Sequence, residues 1–278
     1  MNLAATARRA ALAAASALVL AGTVAPVADA AAPTPAAPAP ETCRDVAVVA
    51  ARGTDQTDPD FGDEGETLRG LLDLAEARHP GLSSRAELIA LDREVYPATL
   101  GLPQLAEEGE QLSPADTARR ALEVIPELGQ VHATDPRATI EALPGHLERR
   151  EAETGCRPDY VLLGYSQGAT VLTGLEARLH AQGRLRGVIY LGDPHAPRGA
   201  LRGLPELMGT PRVPAGEVER VEYCLPKDFS CDFSAEAAAL ALGDGGGPHD
   251  TYFTGRPEHA PREAEVADAL ARMVDGNV

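Results

Sequence analysis

The stretch DYVLLGYSQGATVLTGLEARL, Asp159–Leu179, changes its hydrophobic pattern halfway along. Its first part is a short apolar run typical of a buried strand, and from Thr170 onward apolar residues recur at helical spacing. Ser166 therefore lies on the turn between a strand and a helix, flanked by Gly164 and Gly168. A serine in such a G-x-S-x-G turn is typical of the strained elbow that exposes a nucleophilic hydroxyl. The alternative is an ordinary strand-to-helix turn, and the rest of the sequence has to decide.

The N-terminus has the pattern of a secretory signal. Arg8 and Arg9 precede an uncharged stretch of small and apolar residues, and an A-x-A cleavage site ends at Ala30. We therefore expect residues 1–30 to be removed and the protein to be secreted. Residues 31–41, AAPTPAAPAPE, are rich in alanine and proline and predict an extended tether. Residues 42–278 remain for one catalytic domain.

Charge and hydropathy limit the partners. The formal net charge is −17, from 25 Lys and Arg against 42 Asp and Glu. An acidic chain without a basic patch is not expected to bind nucleic acid. After the signal, no segment approaches 18 apolar residues, so we expect no stable membrane insertion. A monomer is the expected state.

Four cysteines follow the signal: Cys43, Cys156, Cys224 and Cys231. An even count in an exported chain favours two disulfides, and four cysteines allow three pairings. The sequence has no C-x-x-C spacing and no cysteine clustered with histidine. A zinc site is therefore not expected, and no metal or organic cofactor is implied.

Strand-like and helix-like segments alternate along the domain. Strands are predicted near 45–51, 87–91, 159–164, 187–191 and 218–224. Amphipathic helices are predicted in 65–81, where Pro80-Gly81 ends the helix, in 113–154, after Ser166 and at the end. Within 113–154, Pro126 and Pro144 are expected to end or kink the helices. The alternation predicts an α/β fold with a mostly parallel five-stranded sheet flanked by helices. Its chemistry should collect at the carboxyl ends of the strands.

A nucleophilic serine needs a histidine base. Most of the seven histidines lie in or beside helices or, for His259, before the last helix. His195 follows the fourth strand, and His249 lies in a glycine-rich loop after the fifth. The order Ser, acid, His of the α/β-hydrolases favours His249.

Two aspartates compete for the role of the acid. Asp193 directly follows a strand but fits equally well as a turn residue. Asp228 lies in CLPKDFSC, inside the loop that a bridge from Cys224 to Cys231 would close. Because such a bridge would fix the loop that carries the carboxylate, Asp228 is favoured.

Five segments carry a family resemblance: CRDVAVVAARGT, CRPDYVLLGYSQGA, YLGDP, CLPKDFSC and GPHDTYF, in this order over residues 43–253. Together they resemble the cutinases and cutinase-like serine esterases. The resemblance implies a three-layer α/β-hydrolase sandwich with Ser166 as nucleophile, Asp228 as acid and His249 as base. It also pairs the cysteines, as Cys43–Cys156 and Cys224–Cys231.

The same resemblance places the oxyanion donors on the backbone N–H of Gln167 and on the N–H and hydroxyl of Thr54. Hydrolase geometry puts donors at these two places, after the nucleophile and after an early strand. The sequence departs from the family in the long helical stretch 113–154, in the extended glycine-rich interval before His249, and in Thr54, where many members have serine.

The sequence therefore predicts a secreted serine esterase that acts on cutin-like polyesters or on short- to medium-chain acyl esters through an acyl-enzyme. An acetylxylan esterase on the same fold is the first alternative. A non-catalytic surface- or carbohydrate-binding protein is the second. The presence of all three triad residues and the absence of tryptophan count against it.

Overall fold

The computed structural model describes residues 43–99, 119, 136–196, 212–232, 234, 236–237, 240 and 247–276. The predicted signal and tether, at 1–30 and 31–41, lie outside these residues. So do most of 113–135, with Pro126, and most of the glycine-rich interval before His249.

The centre of the fold is a five-stranded sheet in the order β2-β1-β3-β4-β5, in which every neighbouring pair is parallel. The predicted fold class is confirmed. Each predicted strand agrees with the structure to within two residues at either end. The strands are β1 Val46–Ala51, β2 Ala86–Ala90, β3 Asp159–Tyr165, β4 Leu185–Leu191 and β5 Glu219–Tyr223.

Helices cover both faces of the sheet. They are α1 Gly65–Arg78, α2 Leu82–Arg85, α3 at 136–154, α4 Gln167–Ala181 and α5 Ala260–Asp275, with 3-10 turns at Pro59–Phe61 and Gly247–Thr251.

The sequence predicted that Pro144 would either end or kink its helix. The helix α3 does not end there. Residues 136–154 are helical throughout. Leu143 and Leu147, on either side of the proline, are buried in the core. Their burial offsets the lost hydrogen bond and the steric cost of an internal proline.

Alternation along the strands divides the core into two layers. Val46, Val48 and Ala50 face one side, where they meet α1 and α5. Ala47 and Val49 face the other side, together with residues of α3 and α4. Successive strand residues point to opposite faces, and helices cover both faces of the sheet. All six residues of β1 are therefore buried. The result is a three-layer sandwich.

Two disulfides join Cys43 to Cys156 and Cys224 to Cys231. These are the pairings that the resemblance implies. The first ties the residues before β1 to those before β3, and the second closes the loop after β5. Within the described ranges, no helix is both long and apolar enough to cross a membrane.

Candidate active site

Ser166 stands at the carboxyl end of β3, the central strand, and is the residue before α4. Its backbone has φ 53° and ψ −121°, a conformation that non-glycine residues seldom adopt. Its N–H donates to the carbonyl of Leu191 at the end of β4, 2.9 Å away. Strain of this kind costs about 1–3 kcal/mol and persists only where the surroundings impose it, typically at functional sites.

The two glycines of the motif let α4 pack closely against β3 and β1. A Cβ at Gly164 would lie 2.6 Å from the Cα of Ala169, and one at Gly168 would lie 2.0 Å from the carbonyl oxygen of Ala51. Any side chain at these positions would push α4 away from β3 and from the end of β1. The G-x-S-x-G spacing therefore reflects close backbone packing around Ser166.

His249 contacts both other members of the predicted triad. Its Nε2 lies 3.0 Å from Ser166 Oγ, and its Nδ1 lies 2.8 Å from Asp228 Oδ1. The Asp228 side chain is fully buried, and that of His249 is 10% exposed. A carboxylate at Nδ1 keeps the proton on that nitrogen and leaves Nε2 free to accept one. The structure thus brings together Ser166, His249 and Asp228 in the order that proton transfer requires.

Asp228 is held ionised in spite of its burial. Its Oδ2 accepts from the Tyr252 hydroxyl at 2.5 Å, and its Oδ1 accepts from the Ser230 N–H at 2.9 Å. Burial alone raises the pKa of the Asp228 carboxyl. The hydrogen bond and charge of His249, with the donors on Tyr252 and Ser230, outweigh burial and hold the pKa below its usual value.

Two aromatic rings border the imidazole of His249. The ring of Tyr165 stacks on it with centroids 4.9 Å apart, and the Tyr165 hydroxyl donates to the His249 carbonyl at 2.7 Å. On another side, the ring of Phe229 lies 4.8 Å away. Phe229 is 40% exposed, so it presents an apolar surface beside the imidazole.

The two segments that carry the predicted oxyanion residues lie next to the elbow. Gln167 is the first residue of α4, so its N–H is one of the unpaired donors of a helix N-terminus. Thr54 follows Gly53, where a Cβ would lie 2.5 Å from the ring of Tyr165, so the end of β1 runs directly beside the elbow. The Thr54 hydroxyl is buried and has no hydrogen-bond partner among the described residues.

Arg52 fixes the backbone that carries Thr54. Its buried guanidinium donates to the carbonyls of Leu91 at 2.7 Å and Tyr96 at 2.9 Å, and also to those of Asp63 and Pro97. The Tyr96 hydroxyl lies 3.0 Å from both the Arg52 carbonyl and Oε1 of Gln167. One cage of hydrogen bonds therefore holds the segments of both predicted oxyanion donors.

The alternative acid and base lie in a different environment. The Asp193 carboxylate accepts from the His195 N–H at 2.8 Å and forms an ion pair with Arg212. Burial raises the pKa of Asp193, but the hydrogen bonds of His195 and the charge of Arg212 outweigh it and lower the pKa to about 2. The His195 ring contacts Thr170 at 3.3 Å, whereas it is His249 that contacts Ser166.

Ser230, Tyr165 and Tyr252 contact the triad although no sequence motif predicted a role for them. Tyr252 lies three residues after His249 in the GPHDTYF segment, so its position in this motif was a signal that could have identified it. Tyr165 and Ser230 act through partners 84 and 38 residues away in the chain, and no local pattern reports such contacts. Among the described residues, no group of three or more His, Cys, Asp or Glu is arranged to hold a metal ion.

Comparisons with family models and with curated proteins found no match. The chain is similar to three solved structures. The first is a Trichoderma reesei cutinase in complex with a phosphonate inhibitor, at 21% identity and a TM-score of 0.39, covering 84% of this chain and 78% of that one. The second is an acetylxylan esterase, at 17% identity and a TM-score of 0.46, covering 83% of this chain and 100% of that one.

The third is a cutinase-like protein from Cryptococcus sp., at 16% identity and a TM-score of 0.41, covering 84% of this chain and 95% of that one. Two of the three are named cutinase or cutinase-like, the family that the sequence motifs resemble. At such identities the likeness is one of fold, so the chemistry of the site rests on its own residues.

Proposed function

We propose that this chain is a secreted, cutinase-like serine esterase that hydrolyses carboxylic esters. The observation that carries the proposal is the line of contacts from Ser166 Oγ through the His249 imidazole to Asp228, at 3.0 Å and 2.8 Å. These are hydrogen-bond distances, and the strained elbow presents the hydroxyl at the carboxyl edge of the sheet.

In the first half of the reaction, Ser166 Oγ attacks the carbonyl carbon of the ester and gives its proton to Nε2 of His249. The tetrahedral intermediate then collapses, the bond from carbon to the alcohol oxygen breaks, and His249 returns the proton to the departing alcohol. The acyl group remains on Ser166. Asp228 stays ionised throughout and stabilises the imidazolium that forms between the two proton transfers.

In the second half, water gives a proton to His249 and attacks the acyl carbon. The ester bond to Ser166 breaks, His249 returns the proton to Oγ, and the carboxylic acid leaves. The negative oxygen of each tetrahedral intermediate would accept from the N–H of Gln167 and from the N–H and hydroxyl of Thr54. The buried hydroxyl of Thr54, which has no partner in the described part of the chain, supports this assignment.

Replacing the nucleophile tests the proposal directly. Ser166→Ala should lower kcat for a chromogenic ester by roughly six orders of magnitude, because triad residues act as a unit. A covalent phosphonate should label Ser166 and no other serine on peptide mapping of the wild-type protein. A purified, folded variant that kept more than about a tenth of the wild-type turnover would exclude this mechanism.

A second experiment determines the substrate class. Acetyl, butyryl and palmitoyl chromogenic esters, acetylated xylan and a polyester film should be compared at equal enzyme concentration. We expect the acyl esters and the polyester to be hydrolysed faster than acetylated xylan. The opposite ranking would assign the chain as an acetylxylan esterase.

Export is supported by the two disulfides, which form and persist in oxidising compartments. We expect cleavage within a few residues of Ala30. Mass spectrometry of protein collected from the medium of an expressing culture measures the new N-terminus. Secreted protein that retained Met1 would contradict export by this signal.

A further inference from the structure

The Ser230 hydroxyl contacts both Asp228 and His249 of the triad, although it takes no part in the proposed proton transfers. Its Oγ is 2.6 Å from the carbonyl oxygen of Gly192, 2.8 Å from Asp228 Oδ1 and 3.1 Å from His249 Nδ1. Ser230 is 7% exposed, so water does not compete freely for these contacts.

A hydroxyl has one proton to donate, and the geometry indicates where it goes. Asp228 Oδ1 already accepts from His249 Nδ1 at 2.8 Å and from the Ser230 N–H at 2.9 Å. The Gly192 carbonyl is the nearest acceptor. The hydroxyl therefore donates to the Gly192 carbonyl as its nearest acceptor and shares the same proton with Asp228 Oδ1. Its lone pairs face the Nδ1–H of His249, which the imidazole shares between Asp228 and Ser230.

Gly192 is well placed to anchor this hydroxyl. Its N–H donates to the Tyr223 carbonyl at the end of β5, 2.9 Å away, and its φ is 54°. A Cβ at this position would lie 2.9 Å from Asp228 Oδ2, 3.0 Å from Ser230 Oγ and 3.1 Å from His249 Cε1. The glycine thus lets the backbone after β4 approach the acid and the base directly.

We propose that Ser230 is a positioning residue that ties the Asp228–His249 pair to the end of β4. The proposal rests on the esterase function proposed above. Because its hydroxyl is hydrogen-bonded to the Gly192 carbonyl, Ser230 fixes the tilt of the imidazole toward Ser166. Its lone pairs favour the imidazolium that forms when Ser166 loses its proton. β4 also binds the nucleophile, through the Leu191 carbonyl, so the same strand end holds the nucleophile and the base in register.

The test is Ser230→Ala, compared with Ser230→Thr and with Ser234→Ala. Ser234 lies in the same segment, but its hydroxyl accepts from the Ala237 N–H, away from the triad. We expect Ser230→Ala to lower kcat about 10- to 100-fold, the effect of removing a hydrogen bond to a charged group. KM should stay within about twofold, because Ser230 is buried behind Asp228 and His249 and a positioning role changes the chemical step rather than binding. Ser230→Thr should recover most of kcat, and Ser234→Ala should match the wild type.

A spectroscopic readout separates positioning from a structural role. The low-field NMR signal of the His249 Nδ1 proton should shift in Ser230→Ala and return toward its wild-type position in Ser230→Thr. Full kcat in Ser230→Ala overturns the proposal. A loss of kcat with an unmoved Nδ1 proton signal and a lowered melting temperature also overturns it. Retained activity in Ser166→Ala would instead overturn the proposed function itself.

Discussion

At the scale of single residues, the site depends on a serine that is held in a strained conformation. The φ of 53° at Ser166 persists because Gly164 and Gly168 let α4 press against β3 and β1, and because the Leu191 carbonyl fixes the Ser166 N–H. In the sequence alone, a G-x-S-x-G motif is weak evidence for a nucleophilic serine. It becomes specific here because both glycines stand where a Cβ would overlap backbone atoms.

Replacing the two candidate histidines should distinguish the base. His249→Ala should lower kcat nearly as much as Ser166→Ala, since His249 is the imidazole in contact with Ser166 Oγ. His195→Ala should leave most of the activity, because His195 contacts Thr170 and Asp193. Steady-state turnover of both purified variants measures this, and the opposite ranking would move the base to the segment after β4.

The pH dependence of kcat/KM is a second test for a histidine base. Only a neutral imidazole accepts the proton of Ser166, so kcat/KM should rise between about pH 5 and 8. Asp228 has a lowered pKa and therefore remains ionised across this range. A flat profile would argue against a histidine base.

At the scale of secondary-structure elements, a partly buried charged cluster joins the end of β4, β5 and α4. Asp193 pairs with Arg212, and Glu176 of α4, which is fully buried, pairs with Arg220 of β5 at 2.5 Å. Glu222 of β5 lies 3.1 Å from Arg212 and 3.4 Å from Arg220. Among the described residues, three carboxylates thus face two guanidinium groups.

The surplus carboxylate should make stability depend on pH. Burial raises the pKa of Glu222, and the charge of Asp193 raises it further, to about 8, although both arginines oppose the shift. The usual pKa of this carboxyl is 4.5, so as pH rises from there to 8 the unfolded chain gives up its proton first. The free energy of unfolding therefore falls over that interval.

Glu222→Gln removes this linkage. Its melting temperature should match the wild type at about pH 5, where Glu222 is protonated in the folded state, and exceed it at about pH 9. Each kcal/mol gained corresponds to about 2–4 °C in a domain of this size. Glu258→Gln makes the same charge change at an exposed position and should show no such difference. A greater loss of stability at pH 9 than at pH 5 would mean that the ion pairs of Glu222 dominate.

At the scale of the whole molecule, the two disulfides close loops of very different size. Cys43 and Cys156 are 113 residues apart, and Cys224 and Cys231 are 7 apart. By chain entropy the long loop contributes about 4.8 kcal/mol and the short one about 2.5 kcal/mol. The short loop contains Asp228, so its bridge bears on the site as well as on stability.

The two bridges should therefore fail differently. Replacing Cys43 and Cys156 by alanine should lower the melting temperature more than it lowers the turnover of the folded protein. Replacing Cys224 and Cys231 should lower kcat at about 20 °C while the fold persists, because a displaced carboxylate leaves the imidazole misoriented. Thermal melts and turnover of both double variants measure this. Full turnover in the second variant would mean that other contacts, such as that of Tyr252, suffice to hold Asp228.

The alternation of strands with helices predicted a mostly parallel sheet. The sequence alone determined the five strands and the turn that carries Ser166. These features are local, because a strand, a helix or a tight turn is encoded by the spacing of neighbouring residues. The order of the motifs along the chain was enough to propose Asp228 and His249. The effect of Pro144 was open in the sequence, and burial of Leu143 and Leu147 decided against a helix end there.

Only the tertiary structure decided which polar groups meet. It places Arg212 on Asp193, the Arg52 guanidinium on the carbonyls of a distant loop, and Ser230 between Gly192 and His249. The physical reason is that buried polar groups must find partners, and these partners lie on segments that only the packed sheet brings together. A sequence pattern reports the neighbours of a residue along the chain, and the chemistry of this site depends on neighbours in space.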